Sequence, residues 1–281
     1  MPSFLTPNSN GEDAAPGGFR EFSEHGDPSR PGPYPHAGGG GQPSSGGTYK
    51  RPPPIRTTDI EEAIRLMERG QVVELTNVAA VGTLLTKLAA MAIEAKRLGT
   101  RAPSYNLCKV SVAGTNLFCA SHVVTDKYPE GITRIEMPQL SGEPVPGTKA
   151  DKLPRTSSDN KVDGAGHFRK YLIDHGIPIR DGQVSAASLR ASQNELVGAT
   201  VAGMMRATEY DPGKEPIFIS RDNYVIDGHH RWAAVVGRDA LDGTLGDLPM
   251  NVVRVDAPIS EVLLLAKTWS KAFGIRQKGV D

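Results

Sequence analysis

The sequence predicts an α+β fold whose C-terminal part has an α/β-like alternation of strands and helices. From residue 166 onward, short apolar runs alternate with helix-length amphipathic stretches, and residues 56–165 begin with two helical patterns followed by a strand-like alternation. Residues 1–55, in contrast, contain too few large apolar residues to form a core. We therefore expect a disordered tail (1–55), a helical and hairpin region with a long polar connection (56–165), and a compact domain with a small mixed sheet and flanking helices (166–281).

The tail is rich in the two residue types that disfavour regular structure. Residues 1–54 contain 11 Gly and 11 Pro. A segment of this composition does not bury enough apolar surface to offset the conformational entropy that folding removes. We expect a tether, which is also one place where a protein partner would bind.

A pair of amphipathic helices is predicted to follow the tail. Thr58-Asp59-Ile60-Glu61 fits a capping box, and Gly70 ends the apolar repeat that starts there. A longer helix is expected from about Asn77 to Leu98, closed by Gly99. Packing within the chain is the favoured use of this pair, and contact with a protein partner is the alternative.

A β-hairpin is predicted after the helix pair. Leu107–Val112 alternates as a strand does, residues 113–116 have turn chemistry, and Leu117–Ala120 resembles a second strand. Cys108 and Cys119 would then lie near its outer ends. Two buried thiols are favoured over a zinc site, because one Cys on each strand gives too few ligands at an unfamiliar spacing. No metal site is predicted.

The later elements follow from the same local signals. Residues 137–165 resemble a long polar surface connection, and a short helix is expected from His167 to His175. The last domain should then have an extended segment near residues 183–189, a mostly helical stretch over 191–206, a strand over 248–255, and a final helix after Pro258.

The candidate site is the segment Asp227-Gly228-His229-His230-Arg231, called the glycine turn below. Short strands are predicted before it (216–219 and 224–226), and an apolar helical run follows it, with Gly237 as the expected C-cap. Gly228 suits a sharp bend, and the first turn of the helix would present unpaired N–H groups that attract phosphate. Arg231 adds a planar fork of donors that matches phosphate oxygens.

Ile226-Asp227-Gly228-His229-His230-Arg231-Trp232-Ala233-Ala234 resembles the signature turn of the ParB/sulfiredoxin superfamily, in which a Gly, two variable residues and an Arg precede a small helical residue. The two-histidine form is most similar to the ParB-like branch that includes a nucleotide-dependent free-serine kinase. The resemblance is close over this segment, looser over residues 183–256, and absent from the first 150 residues. Sulfiredoxins carry a reactive Cys where this chain has His229, so sulfiredoxin chemistry is not expected.

The resemblance implies roles for the turn and for one upstream cluster. Gly228, Arg231 and Asp227 would bind phosphate. Capping the helix is the commoner use of an Asp at the position of Asp227, and holding a metal ion or orienting a histidine is the sharper alternative. His229 and His230 are the catalytic candidates, and sequence does not decide which of them faces the ligand. Upstream, Glu195 would act as general base, with Gln193 and Arg190 as further nucleotide contacts. The alternative for Glu195 is the end of a capping box that begins at Ser192.

The expected function is therefore nucleotide binding with phosphoryl transfer or nucleotide hydrolysis, with a nucleoside tri- or diphosphate and Mg²⁺. The alternatives are a partition-type DNA-binding or nuclease module and a non-enzymatic assembly protein of a phage or mobile element. Nucleic acid is the less favoured partner, because the chain has 32 Lys and Arg against 32 Asp and Glu. The sequence contains neither a GxxxxGK[ST] loop nor a recognisable signal peptide or apolar run of membrane-spanning length. A cytoplasmic location, or packaging in a phage particle, is expected.

Overall fold

A computed structural model describes residues 53–277, except for 104, 113, 116, 120–124, 126, 157–159 and 208–210. The described residues all belong to one compact unit. Helices and strands are interspersed, which confirms the α+β class. The predicted tail lies outside the described residues except for its last three, and Ile55 already begins the first strand.

The first sheet has three parallel strands joined by the predicted helix pair. Its elements are β1 (Ile55–Thr57), α1 (Ile60–Glu68), β2 (Val73–Leu75), α2 (Val78–Arg97) and β3 (Val110–Val112), and the strand order is β1-β2-β3. Asp59 caps α1 by accepting hydrogen bonds from the amides of Glu61 and Glu62, so the capping role predicted for Thr58 was wrong. Asn77 caps α2 as expected.

The hairpin predicted around residues 107–120 was wrong. Residues 107–109 form a 3-10 turn, and β3 pairs in parallel with β2. Val110 and Val112, which point to the same face of the strand, are both buried in this position. Cys108 and Cys119 form a disulfide with their Cα atoms 4.7 Å apart, so the prediction of two free thiols was also wrong.

Residues 137–165 are not a surface connection, contrary to the prediction. Strands β4 (Ser141–Gly142) and β5 (Val162–Asp163) pair antiparallel within them. The side chains of Met137, Leu140 and Val162 are almost fully buried. Nothing in the sequence indicated these buried residues, because the apolar residues of this polar segment occur singly and without a helical or strand period.

The second sheet carries the glycine turn. Its strands are β6 (Ile179–Ser185), β7 (Arg190–Ala191), β8 (Ile217–Ser220), β9 (Tyr224–Asp227) and β10 (Pro249–Val255), in the order β6-β10-β8-β9-β7. Parallel and antiparallel pairs both occur, so the sheet is mixed as predicted. Its helices are α3 (Ala165–Asp174), α4 (Gly198–Arg206), α5 (His229–Asp239) and α6 (Ile259–Phe273).

Both faces of this sheet are covered. Alternate strand residues such as Ile217, Ile219 and Val225 join one apolar core with α2, α4 and α5, whereas Phe218 and Ile226 join a second core with α3 and α6. The predicted boundary between residues 165 and 166 falls inside this single unit. The division into the ranges 56–165 and 166–281 stays a prediction.

Helix α2 is the one described helix that is long and apolar enough to cross a membrane by length and composition alone, although no such run was expected from the sequence. Val81, Leu84 and Leu85 are fully buried against the rest of the protein. One face of α2 therefore packs in the apolar core.

Candidate functional site

The glycine turn has the predicted strand, bend and helix. Strand β9 ends at Asp227, Gly228 has φ +92°, and α5 begins at His229. A Cβ at position 228 would lie 2.3 Å from Cγ2 of Ile217. Only glycine therefore fits, both for its backbone conformation and for the close approach of β8.

Gly237 does not cap α5, contrary to the prediction. The helix continues to Asp239, and a Cβ at position 237 would lie 2.7 Å from Cδ1 of Leu85 in α2 and 3.1 Å from the sulfur of Met205 in α4. The missing side chain allows three helices to pack closely. A glycine at position 237 indicated a local constraint, but the sequence did not show that the constraint was close helix packing rather than a helix end.

A cleft of about 780 Å³ opens at the glycine turn, and all five residues of the turn line it. Such a volume is in the range of small-molecule sites. The lining also includes residues of two other parts of the chain: Gln193, Thr200, Met204 and Glu215 from the same domain range, and Arg134, Met137, Pro138, Gln139, Ser141 and Lys161 from the range before it. The cleft is thus built from segments far apart in the chain.

His229 is buried behind the cleft and held by a loop. Its Nε2 accepts hydrogen bonds from the backbone amides of Ser192 and Gln193, each at 3.3 Å. The pKa of His229 is lowered to about 3, chiefly by burial and to a lesser degree by the nearby His230, while a hydrogen bond with the Val225 backbone acts in the opposite direction. A neutral ring follows, because a proton on Nε2 would face two donors. This placement favours a structural role over the predicted catalytic one.

Ser192 lies beside this ring without forming a nucleophile. Its Oγ is 3.1 Å from Nε2 of His229 and donates to the Val225 carbonyl at 2.5 Å. The side chain is fully buried. A substrate cannot reach this hydroxyl, so the serine and histidine form a structural pair rather than a catalytic dyad.

His230 is half-buried and lines the cleft. Its Nε2 accepts a hydrogen bond from the backbone amide of Val197, which directly precedes α4, at 3.1 Å. The ring therefore connects the first turn of α5 to the start of α4. Of the two histidines, this is the one whose side chain lies at the surface of the cleft and is partly accessible.

Arg231 lies along the wall of the cleft and is 18% exposed. Its guanidinium donates to the carbonyl of Glu215 at 3.2 Å and to its carboxylate at 3.1 Å, and it lies 3.8 Å from the Asp227 carboxylate. Glu215 is largely exposed, at 69%. The carboxylate end of this ion pair is therefore well solvated, which weakens the pair.

The upstream cluster is only partly at the site. The helix predicted over 191–206 starts only at Gly198, so residues 192–197 form a loop. Gln193 lines the cleft and its side-chain amide donates to the Glu195 carbonyl. Glu195 itself lies outside the lining, near Arg134 at 4.0 Å. Arg190 is exposed in β7, lies over the Tyr224 ring and is not among the residues that line the cleft.

Several lining residues were not predicted, above all Arg134, Lys161, Thr200 and Glu215. The first two fall in the stretch interpreted as a hairpin region and a connection, where no motif marked them. Glu215 directly precedes the predicted strand 216–219. A polar residue at the start of a buried strand predicted shortly before the glycine turn was the one available signal.

No protein-family model, curated protein or solved structure matches the chain significantly. The assignment of the cleft therefore depends on its geometry and on the resemblance of the glycine turn.

Proposed function

We propose that this protein binds a nucleotide in the cleft, with its phosphates at the glycine turn, and performs phosphoryl transfer or nucleotide hydrolysis. The observation that carries the proposal is the placement of all five turn residues around a cleft of about 780 Å³. Gly228 has no side chain that would cap the first turn of α5. The amides of that turn and the Arg231 guanidinium supply donors for phosphate oxygens.

The side chains in the cleft have distinct roles in this proposal. Arg231 exchanges Glu215 for phosphate and neutralises the charge of the transferred group. His230 is the group that moves a proton or contacts the ligand, and Asp227 orients the attacking oxygen. His229 keeps the turn in place through the Ser192 and Gln193 amides.

The cleft would hold the expected Mg²⁺ only if phosphate oxygens of the ligand supplied part of its coordination. Among the described residues, no three His, Cys, Asp or Glu side chains are grouped so as to hold a metal ion. Mg²⁺ is commonly bound by one or two carboxylates together with substrate phosphates. Asp227 lines the cleft and would supply such a carboxylate; the ion would neutralise phosphate charge.

A thermal-shift screen of nucleoside mono-, di- and triphosphates with Mg²⁺ tests the proposal. The melting temperature of the wild type should rise with at least one nucleotide. Arg231→Ala should abolish the rise, whereas Arg206→Ala, which removes an exposed charge from the end of α4, should preserve it. A wild type that responds to no nucleotide would contradict the proposal and favour the assembly alternative. Salt-sensitive DNA binding in its place would favour the nuclease alternative.

A further inference from the structure

Two glutamines that line the cleft are almost fully buried. Gln139 is 8% exposed and Gln193 is 6% exposed, and both belong to the lining. Polar side chains at this depth normally have their hydrogen-bonding groups paired. The partners of the two side-chain amides therefore indicate what a ligand in the cleft would have to supply.

In both glutamines, the amide nitrogen is paired within the protein. Nε2 of Gln139 donates to the backbone carbonyls of Met137 at 3.2 Å and Pro138 at 3.3 Å. Nε2 of Gln193 donates to the Glu195 carbonyl. Exchanging nitrogen and oxygen in either amide would place two acceptors against each other, which is repulsive. These contacts therefore decide which atom of each amide is the oxygen.

The amide oxygens, in contrast, have no partner in the protein. None of the described residues donates a hydrogen bond to Oε1 of Gln139 or of Gln193. A buried acceptor without a donor costs free energy unless water or a ligand supplies one. Because both residues line the cleft, the cleft is the place from which such a donor would reach them.

Backbone hydrogen bonds join the two segments that carry these glutamines. The Ile132 amide donates to the Ser192 carbonyl at 2.8 Å, and the Asn194 amide donates to the Ile132 carbonyl at 2.9 Å. The segment that leads to Gln139 is thus paired with the residues on either side of Gln193. Both side chains therefore belong to one hydrogen-bonded part of the cleft lining.

We infer that Gln139 and Gln193 recognise the base of the nucleotide by accepting hydrogen bonds from its exocyclic amino group. Phosphate oxygens are acceptors as well, so a free amide oxygen repels them and does not belong to the phosphate site at the glycine turn. The amino groups of adenine, guanine and cytosine are donors. This inference rests on the proposed function and deepens it, because it names nucleotides with an amino-bearing base as the ligand class.

The test compares nucleotides that differ only in this amino group. Dissociation constants are measured by calorimetry with Mg²⁺ for three pairs of nucleotides: those of adenosine and purine riboside, of guanosine and inosine, and of cytidine and 2-pyrimidinone riboside. In each pair, hydrogen replaces the amino group and the phosphates are the same. For the wild type, affinity should fall about tenfold or more in at least one pair.

The variant Gln139→Met with Gln193→Met removes both oxygens with little change in side-chain size. It should bind the amino-bearing nucleotide as weakly as the wild type binds the amino-free one, and its affinity for the amino-free one should be unchanged. The matched control is Gln71→Met with Gln183→Met, which makes the same change at exposed positions outside the cleft lining. It should keep the preference of the wild type.

Equal wild-type affinities within all three pairs would overturn the inference and leave the proposed function intact, since the two oxygens would then be paired by water alone. A glutamine variant that kept the full preference would overturn it as well. If the variant bound neither member of the pair, the wild-type comparison, which needs no substitution, would decide. A wild type that binds no nucleotide would overturn both the inference and the proposed function.

Discussion

The Nε2 atom of His229 and the backbone amide of Gln193 are joined by a hydrogen bond of 3.3 Å that ties the first residue of α5 to the loop before α4. The Ser192 amide makes a second bond of the same length to the same atom. Two donors on one nitrogen require that nitrogen to be unprotonated. The folding of the site is therefore linked to the neutral state of a buried imidazole.

Acid should destabilise the protein through this ring. The pKa of His229 is about 3 in the folded state and near 6.5 when unfolded. As pH falls below 6.5, the unfolded chain gains a proton that the folded chain does not, so stability is complete above pH 6.5 and declines toward pH 3. Between pH 7 and 5 the loss should be about 2 kcal/mol.

Urea unfolding of wild type and His229→Gln at the two pH values checks this. Glutamine keeps an acceptor for the loop amides but does not titrate, so its loss between pH 7 and 5 should be smaller by about the same 2 kcal/mol. Equal pH dependence in the two proteins would mean that His229 is not buried in neutral form.

Gly228→Ala should destabilise the fold strongly. The new Cβ would require a left-handed backbone conformation and would lie 2.3 Å from the Ile217 side chain. We expect a loss of about 2–4 kcal/mol in the free energy of unfolding. Gly203→Ala is the control, because that helical position has no atom within 4 Å of a new Cβ; it should stabilise by about 0.5–1 kcal/mol. Chemical denaturation of both variants measures the contrast, and similar effects would refute the geometry of the turn.

Glu215→Gln should increase affinity for a phosphate ligand. The Glu215 carboxylate forms an ion pair with the Arg231 guanidinium at 3.1 Å. A phosphate that binds Arg231 must displace this carboxylate. Removing the charge from this exposed partner should tighten binding about two- to fivefold. Calorimetric titration with the nucleotide identified by thermal shift measures this. Glu261→Gln, an exposed position on α6, should leave affinity unchanged, and weaker binding by Glu215→Gln would assign that carboxylate to the ligand itself.

Reduction of the Cys108–Cys119 disulfide should lower stability. The bridge closes a short loop, with a sequence separation of 11, for which chain entropy predicts about 2–3 kcal/mol. Urea unfolding with and without a phosphine reductant measures the difference. The Cys108→Ser, Cys119→Ser double variant should unfold like the reduced protein and ignore the reductant. If the reductant left the stability of the wild type unchanged as well, the two cysteines would not be disulfide-bonded in solution.

The elements that the sequence predicted correctly are those with a local signal. Helix α2 has an apolar stripe and an Asn cap, β10 is an apolar run that begins at its Pro, and the glycine turn combines a bend with a helix start. Each of these signals lies within the element that it predicts, so a periodicity argument finds it.

The missed features depend on contacts between distant segments. The side chain of Asn106 donates to the Asn194 carbonyl, 88 residues away, and accepts from the Leu196 amide, which holds residues 192–197 as a loop. Likewise, β3 finds its partner in β2, and the Ile132–Ser192 bond brings Arg134 to the cleft. No local pattern in a single sequence encodes such pairings.

The close packing of Leu85 on Gly237 has a practical consequence for cutting the chain. Helix α2 covers the apolar sides of α4 and α5, so a piece starting at residue 166 would keep every residue of the glycine turn and lose the support beneath it. Such a truncation would expose an apolar surface to water, and that surface would promote aggregation. If the truncated protein bound no ligand, the result would reflect its unfolding and would not test the function of the intact protein.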